Sequence, residues 1–232
     1  LAEKLREQDS IENARRDKWR YERLDQISNN TMLEDGPLLV VHAFPLGGKT
    51  RLDLEKIRQF PYNLVPIYDR TPMESRIMQF GLEVTRAWGD KKIREQGFAY
   101  KTGETEIVIS LASEKPKLYI DHIDSAIAIS VNSLCSMFNN NGLAVPYLVY
   151  IYLLKAKDYA AWESKTIASS TRPNLFTDER IELPEAIFID PEQFATEANT
   201  GDFLIEQIDE VWHAAGLPCS KSYDNDRKWV RR

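Results

Sequence analysis

Cysteine is nearly absent: only Cys135 and Cys219 occur in 232 residues, and they form no Cys-x-x-Cys pair. That excludes a disulfide framework and a thiolate metal cluster, and it fits a reducing compartment. Histidine is scarce as well. His42, His122 and His213 stand far apart, and none has close His, Cys or carboxylate partners at a recognised metal spacing, Asp121-His122-Ile123-Asp124 being the nearest approach. There is no excess of positive charge: the formal net charge is −6, so the molecule as a whole lacks the basic field that dominates non-specific nucleic-acid binding. Long apolar runs are missing too. The longest, Leu143 to Leu154, contains Pro146 and three tyrosines and falls short of the roughly 20 residues needed to span a bilayer. It reads as a buried strand, and no membrane partner is expected. The first residues are charged and lack the apolar core of a signal peptide, which leads to the expectation of a cytoplasmic protein. No serine elbow, paired-carboxylate motif, dinucleotide-binding glycine pattern or internal repeat is found, and no cofactor is expected.

What is present is enough apolar material for a core. Hydrophobic residues make up 43% of the chain, with five Trp and ten Tyr, enough to offset the conformational entropy lost on folding. The patterning predicts an α/β (α+β) fold, a mixed, largely antiparallel sheet covered by helices and preceded by a connector helix. Three stretches are expected: a charged connector helix over 1–30, an α/β accessory domain over 31–217 and a polar tail over 218–232. Asp9 followed by Glu12 resembles a capping box that starts the first helix, and Asn29-Asn30 ends it. Its apolar stripe, Ile11, Ala14, Leu24 and Ile27, is thin, which suits a connector better than a core element. The chain opens on Leu1 inside this charged pattern, so an upstream segment is expected.

Leu38 to Phe44 reads as a central strand, residues 51–60 as a short surface helix and Leu64 to Tyr68 as a second strand. Further strands are expected at Arg76 to Trp88, and at Glu106 to Ala112 and Lys117 to Asp121 joined as a hairpin. Ile123 to Asn139 carries a broad apolar face at helical spacing and stops at Asn140-Asn141-Gly142. Tyr147 to Leu154 and Glu185 to Asp190 are strand candidates on either side of a polar loop near Ser169 to Asn174. A last helix runs from about Gly201 to Ala215, stopped by Gly216 and Pro218.

Two local motifs carry possible chemistry. Ala43-Phe44-Pro45-Leu46-Gly47-Gly48-Lys49-Thr50 fits a relaxed phosphate loop, in which backbone amides from Gly48 onward would wrap phosphates, Lys49 would bridge the outer two and Thr50 would hold magnesium. Asp190, after Ala186 to Ile189, is the one candidate for the second carboxylate. Pro45 removes an amide donor, and the expected hairpins do not suit the parallel sheet such a loop requires. The bland alternative is a Gly-rich turn with a solvated lysine. The second motif is a basic stretch, Arg15, Arg16, Lys18 and Arg20, interleaved with Trp19 and Tyr21, which could grip phosphates and stack on bases. Asp17 and Glu22 dilute it, and the alternative is a solvated helix laced with intrahelical ion pairs.

Two segments carry more than generic pattern. One is Arg23 to Leu46, where an Arg-rich helix leads into Asp35-Gly36-Pro37-Leu38-Leu39-Val40-Val41-His42 and Pro45-Leu46. The other is Ile208 to Pro218, followed by Ser222-Tyr223-Asp224-Asn225-Asp226 and Trp229. Together they resemble the C-terminal region of bacterial proteins that begin with a Schlafen-type AlbA domain, described as DNA-binding or transcriptional regulators. The resemblance implies an AlbA-type domain upstream, where the family's nucleic-acid chemistry resides, and a defence or regulatory role. Nucleic acid would be engaged through that upstream domain, and a homo-oligomer is expected. For this chain it implies a sensing, oligomerising or substrate-positioning task and no catalytic residues, and it recasts Pro45-Leu46 as the end of a strand.

Overall fold

The computed structural model describes residues 2–47, 51–66, 72–88, 92–111, 116–163 and 174–230. The chain divides into two compact units, Leu1–Met32 and Leu33–Arg232. The first is dominated by one helix, α1 (Ala2–Ser28). It starts well before Asp9, so the Asp9/Glu12 pair lies inside the helix and does not open it. Ala2 to Gln8 are nearly all strong helix formers, and that propensity overrides a local capping pattern. Asn29 ends α1 as expected: its backbone N–H and its side-chain amide both donate to the Asp25 carbonyl, at 3.2 and 2.8 Å.

The second unit is an α+β fold with a largely antiparallel sheet. In chain order its described elements are β1 (Leu38–Pro45), α2 (Leu54–Arg58), β2 (Met73–Ile77), β3 (Gly81–Trp88), β4 (Lys92–Tyr100), β5 (Thr105–Ser110), β6 (Lys117–Tyr119) and α3 (Ile120–Asn140). Then follow β7 (Tyr147–Leu154), β8 (Ala160–Trp162), β9 (Asn174–Leu175), β10 (Arg180–Glu182), β11 (Ala186–Phe188), α4 (Glu197–Phe203) and α5 (Ile205–Ala214). The main sheet has the order β10-β7-β1-β5-β4-β3-β2, with β11 also on β7, and each of its pairings is antiparallel. A small second sheet, β6-β8-β9, holds a parallel pair.

β1 and β7 are buried at every position, which explains why β7 reads as an unbroken apolar run and β1 as one interrupted by His42. The amphipathic α3 covers one face. Its Ile123, Ile127, Val131 and Leu134 share a core with Leu39, Val41, Ile107, Val149, Ile151 and Leu153 from alternate positions of β1, β5 and β7. Gly142, at φ +75°, closes the end of α3 in the left-handed region where a side chain would be strained. An aromatic train, Phe138, Tyr147, Phe194, Phe188 and Phe203, with centroid spacings of 4.5 to 6.2 Å, ties α3 and β7 to β11 and α4.

Several elements differ from expectation, each for a tertiary reason. The span Arg76 to Trp88 is two strands folded at Met78, whose N–H donates to Gly81 O at 2.7 Å. β5 and β6 do not form a hairpin. β5 is taken up on both sides by the apolar strand β1 and by β4, while β6 pairs with β8. β4 was not anticipated, because Lys92 to Gln96 is mostly polar. Leu64 to Pro66 is not strand, and residues 67 and 68 lie outside the described residues. Instead the Leu64 carbonyl lies against Gly97, where a Cβ would meet it at 2.0 Å. The last helix breaks at Leu204 into α4 and α5, and Thr196 Oγ1 caps the first by accepting from Asn199 N at 3.1 Å. The polar stretch after Pro218 is folded through residue 230, with Ser220, Ser222, Tyr223 and Trp229 buried.

Candidate functional site

The phosphate-loop residues Gly48, Lys49 and Thr50 lie outside the described residues. Their surroundings are described: β1, the strand that leads to them, is flanked by antiparallel neighbours on both sides. The next helix, α2, begins at Leu54, with Asp53 Oδ1 capping it by accepting from Lys56 N at 3.2 Å. Asp190 serves as a cap as well, accepting from Glu192 N at 2.9 Å ahead of a short 3-10 turn.

On α1 the basic residues are held by neighbours on the same helix. Arg15 pairs with Glu12 at 3.4 Å, Lys18 with Glu22 at 3.9 Å and Arg20 with Asp17 at 3.0 Å, while Arg16 donates to Asn13. These are i,i+3 and i,i+4 contacts, the pattern of a polar helix that satisfies its own charges.

The densest polar construction was not legible as a cluster. Asp124, in the second turn of α3, is wholly buried, and its carboxylate collects four donor contacts. Trp212 Nε1 of α5 donates to both oxygens at 3.1 Å, and the hydroxyls of Ser220 and Ser222 each donate to Oδ2 at 2.7 Å. Burial pushes the Asp124 carboxyl up from 3.8 to about 7, against the pull of the Ser220, Ser222 and Trp212 donors. A second layer surrounds it. Asp209 accepts from Ser220 N at 2.8 Å and pairs with Arg227, and Tyr223 donates from its hydroxyl to Gly201 O at 2.8 Å. Burial, then the nearby Asp124 carboxylate, pushes the Tyr223 hydroxyl well up. Trp229 stacks edge-on against Tyr223 at 5.4 Å and fills the space over Gly201, where a Cβ would lie 2.3 Å from the indole.

A second polar pair sits inside the sheet. His42 of β1 and Glu106 of β5 are directly opposite in register, both fully buried, with Nε2 and Oε2 3.1 Å apart. The Tyr152 ring meets His42 edge-on at 5.5 Å. The signal available in sequence was a titratable residue interrupting an apolar strand, twice, but only the register brings the two together.

Chemically, the Asp124 constellation is a sealed carboxyl group whose oxygens are occupied by the donors of Trp212, Ser220 and Ser222. Its contact residues are buried, so no substrate reaches the carboxylate, and the arrangement fastens α3, α5 and the C-terminal loop to one another. Among the described residues no group of three or more His, Cys, Asp and Glu could hold a metal ion, and no helix is long and apolar enough to cross a membrane. Cys135 and Cys219 are both free. The open surface offers a cleft of about 450 Å³ lined by Lys56, Ile57, Phe60, Tyr62, Asn63 and the end of α3. Phe60 and Tyr62 are exposed there and meet edge to face at 6.0 Å.

No protein-family model, curated protein or solved structure matches the chain.

Proposed function

We propose that this chain is the C-terminal accessory part of a bacterial cytosolic regulator or defence protein whose AlbA-type domain lies upstream. In this reading the chain senses, oligomerises or positions substrate, and the nucleic-acid chemistry belongs to the upstream domain. One observation carries it: the residues of the downstream resemblance segment are framework. Trp212 and Ser222 bind the buried Asp124, Asp209 anchors Ser220 and Arg227, and Tyr223 packs on Trp229. Side chains spent on fastening a C-terminal loop to a helix layer suit a scaffold better than a site of turnover. In the upstream segment, Leu38 to Leu46 likewise supply the central strand and its exit.

The test is nucleic-acid binding measured over a salt series on the longest polypeptide the gene encodes and on the 232-residue chain. The expected result is affinity that falls steeply with salt for the longer polypeptide and little binding by the shorter one. Turnover of a nucleotide by the 232-residue chain, or equal binding by both, would overturn the reading.

A further inference from the structure

The two edges of the main sheet are unlike. At one side β7 carries β10 and β11, each three residues long, and very short edge strands protect a sheet against further pairing. At the other side lies β2, five residues with the sequence Met73-Glu74-Ser75-Arg76-Ile77. Among the described residues β2 pairs with β3 alone. It contains no proline, no lysine and no bulge, and its two charged residues, Glu74 and Arg76, are of opposite sign.

The hairpin fixes which backbone groups point outward. Met78 and Gly81 exchange both hydrogen bonds, Met78 N to Gly81 O at 2.7 Å and Gly81 N to Met78 O at 3.4 Å. Antiparallel pairs alternate, so Arg76 and Glu74 also bond to β3, opposite Glu83 and Thr85. Met73, Ser75 and Ile77 therefore turn their N–H and C=O groups away from β3, to the open edge.

We infer that β2 pairs antiparallel with β2 of a second copy of this chain, about a two-fold axis through Ser75. Such pairing joins Ser75 to its own counterpart, Met73 to Ile77 and Ile77 to Met73. Every outward N–H and C=O of the strand is then used, in six intermolecular hydrogen bonds by the alternation rule. The same axis sets Glu74 of each copy opposite Arg76 of the other. These are the non-hydrogen-bonded positions, where facing Cα atoms stand only about 4.5 Å apart and side chains meet most closely. Both Glu74 and Arg76 are exposed, while Met73 is half-buried against the core. Ile77, Met78 and Phe80 add exposed apolar surface at the same end, Phe80 being 67% exposed.

Charge is the argument for a second copy over an unrelated strand. The strand carries one acid and one base placed symmetrically about its centre, so it is complementary to itself in antiparallel register. Parallel self-pairing would set like charges together and is disfavoured.

The experiment is sedimentation velocity on the 232-residue chain at tens of micromolar, with four variants. The wild type is expected to be a dimer. Ser75→Pro removes an N–H that points only to the open edge, so it is expected to give a monomer with an unchanged circular-dichroism spectrum. Glu74→Arg and Arg76→Glu each set like charges together and are expected to weaken the dimer at least tenfold. The double variant E74R/R76E restores it, and an equimolar mixture of the two single variants forms the mixed dimer, because each then supplies what the other lacks. A monomeric wild type, a dimer unaffected by Ser75→Pro, or no mixed dimer would overturn the inference. The nucleic-acid reading does not depend on it, since binding by the upstream domain is measured separately.

Discussion

At the scale of single residues, two buried acids do different work. Asp124 is raised from 3.8 to about 7, so the folded protein holds this proton more tightly than the unfolded chain. Its contribution to stability is therefore fully present below about pH 4 and is lost as pH rises through 7. Denaturant melts of the wild type against Asp124→Asn at pH 5 and pH 8 should show the wild type losing roughly 2–3 kcal/mol more than the variant over that range. An identical pH slope in both would remove Asp124 as the titrating group. Glu106 is a simpler case, paired across β1 and β5 with His42. Removing one partner of a buried polar pair takes a hydrogen bond from the other inside the core, so Glu106→Ala should lower stability by about 3 kcal/mol. The double variant H42A/E106A should cost clearly less than the two single losses summed, as a double-mutant cycle would show.

At the scale of elements, the fold depends on close backbone approach as much as on apolar pattern. β4 carries Gly97 where the Leu64 carbonyl crosses it, and a methyl group there would overlap that oxygen at 2.0 Å. The intruding contact is backbone, which cannot swing aside. Gly97→Ala should lower the melting midpoint by the equivalent of about 3 kcal/mol, a large effect for one methyl group. Gly201 in α4 meets the inner atoms of the Trp229 indole, where a Cβ would lie 2.3 and 2.5 Å from Cδ2 and Cγ, so Gly201→Ala should displace that buried ring, lower stability and shift the fluorescence spectrum to the red. α1 belongs to this scale as well. Among its described residues Arg15, Lys18 and Arg20 meet Glu12, Glu22 and Asp17, and Arg16 meets Asn13, along the same helix. Neutralising Arg15, Arg16, Lys18 and Arg20 together should therefore reduce helicity more than it changes any affinity of this chain for duplex DNA. A large fall in DNA affinity, together with a smaller salt slope, would instead assign those residues to phosphate contacts.

At the scale of the whole molecule, the antiparallel setting of β1 bears on the Gly48-Lys49-Thr50 motif. A phosphate loop works from a parallel sheet with a helix starting at the loop, whereas β1 lies between two antiparallel strands and α2 starts at Leu54 under its own cap. Isothermal calorimetry with ATP and magnesium is accordingly expected to give no heat that Lys49→Ala removes. A saturable signal lost in that variant would restore the nucleotide reading. Among the described residues the main sheet ends in the short strands β10 and β11 at one side and in β2 at the other, and the self-association inferred for β2 belongs to this scale.

The chain's own pattern was sufficient for the elements whose surroundings are uniform. β1, β7 and α3 were readable because a strand buried on both faces is continuously apolar, and a covering helix shows a broad stripe at helical spacing. Asn29 and Gly142 were readable as stops because their chemistry is local. Pairing was not readable: β5 could join β6 by a short turn or β1 across the molecule, and only the assembled core made the longer connection the better one. β4 was missed because its partners, rather than its composition, make it a strand. For the same reason Asp124 looked like a helix-start acid until α5 and the C-terminal loop brought Trp212, Ser220 and Ser222 to it from about ninety residues away. Periodicity is a property of a segment and can be read from it. A hydrogen-bond partner is a property of the fold, so the buried networks and the place of β2 at the end of the strand order were decided by tertiary structure.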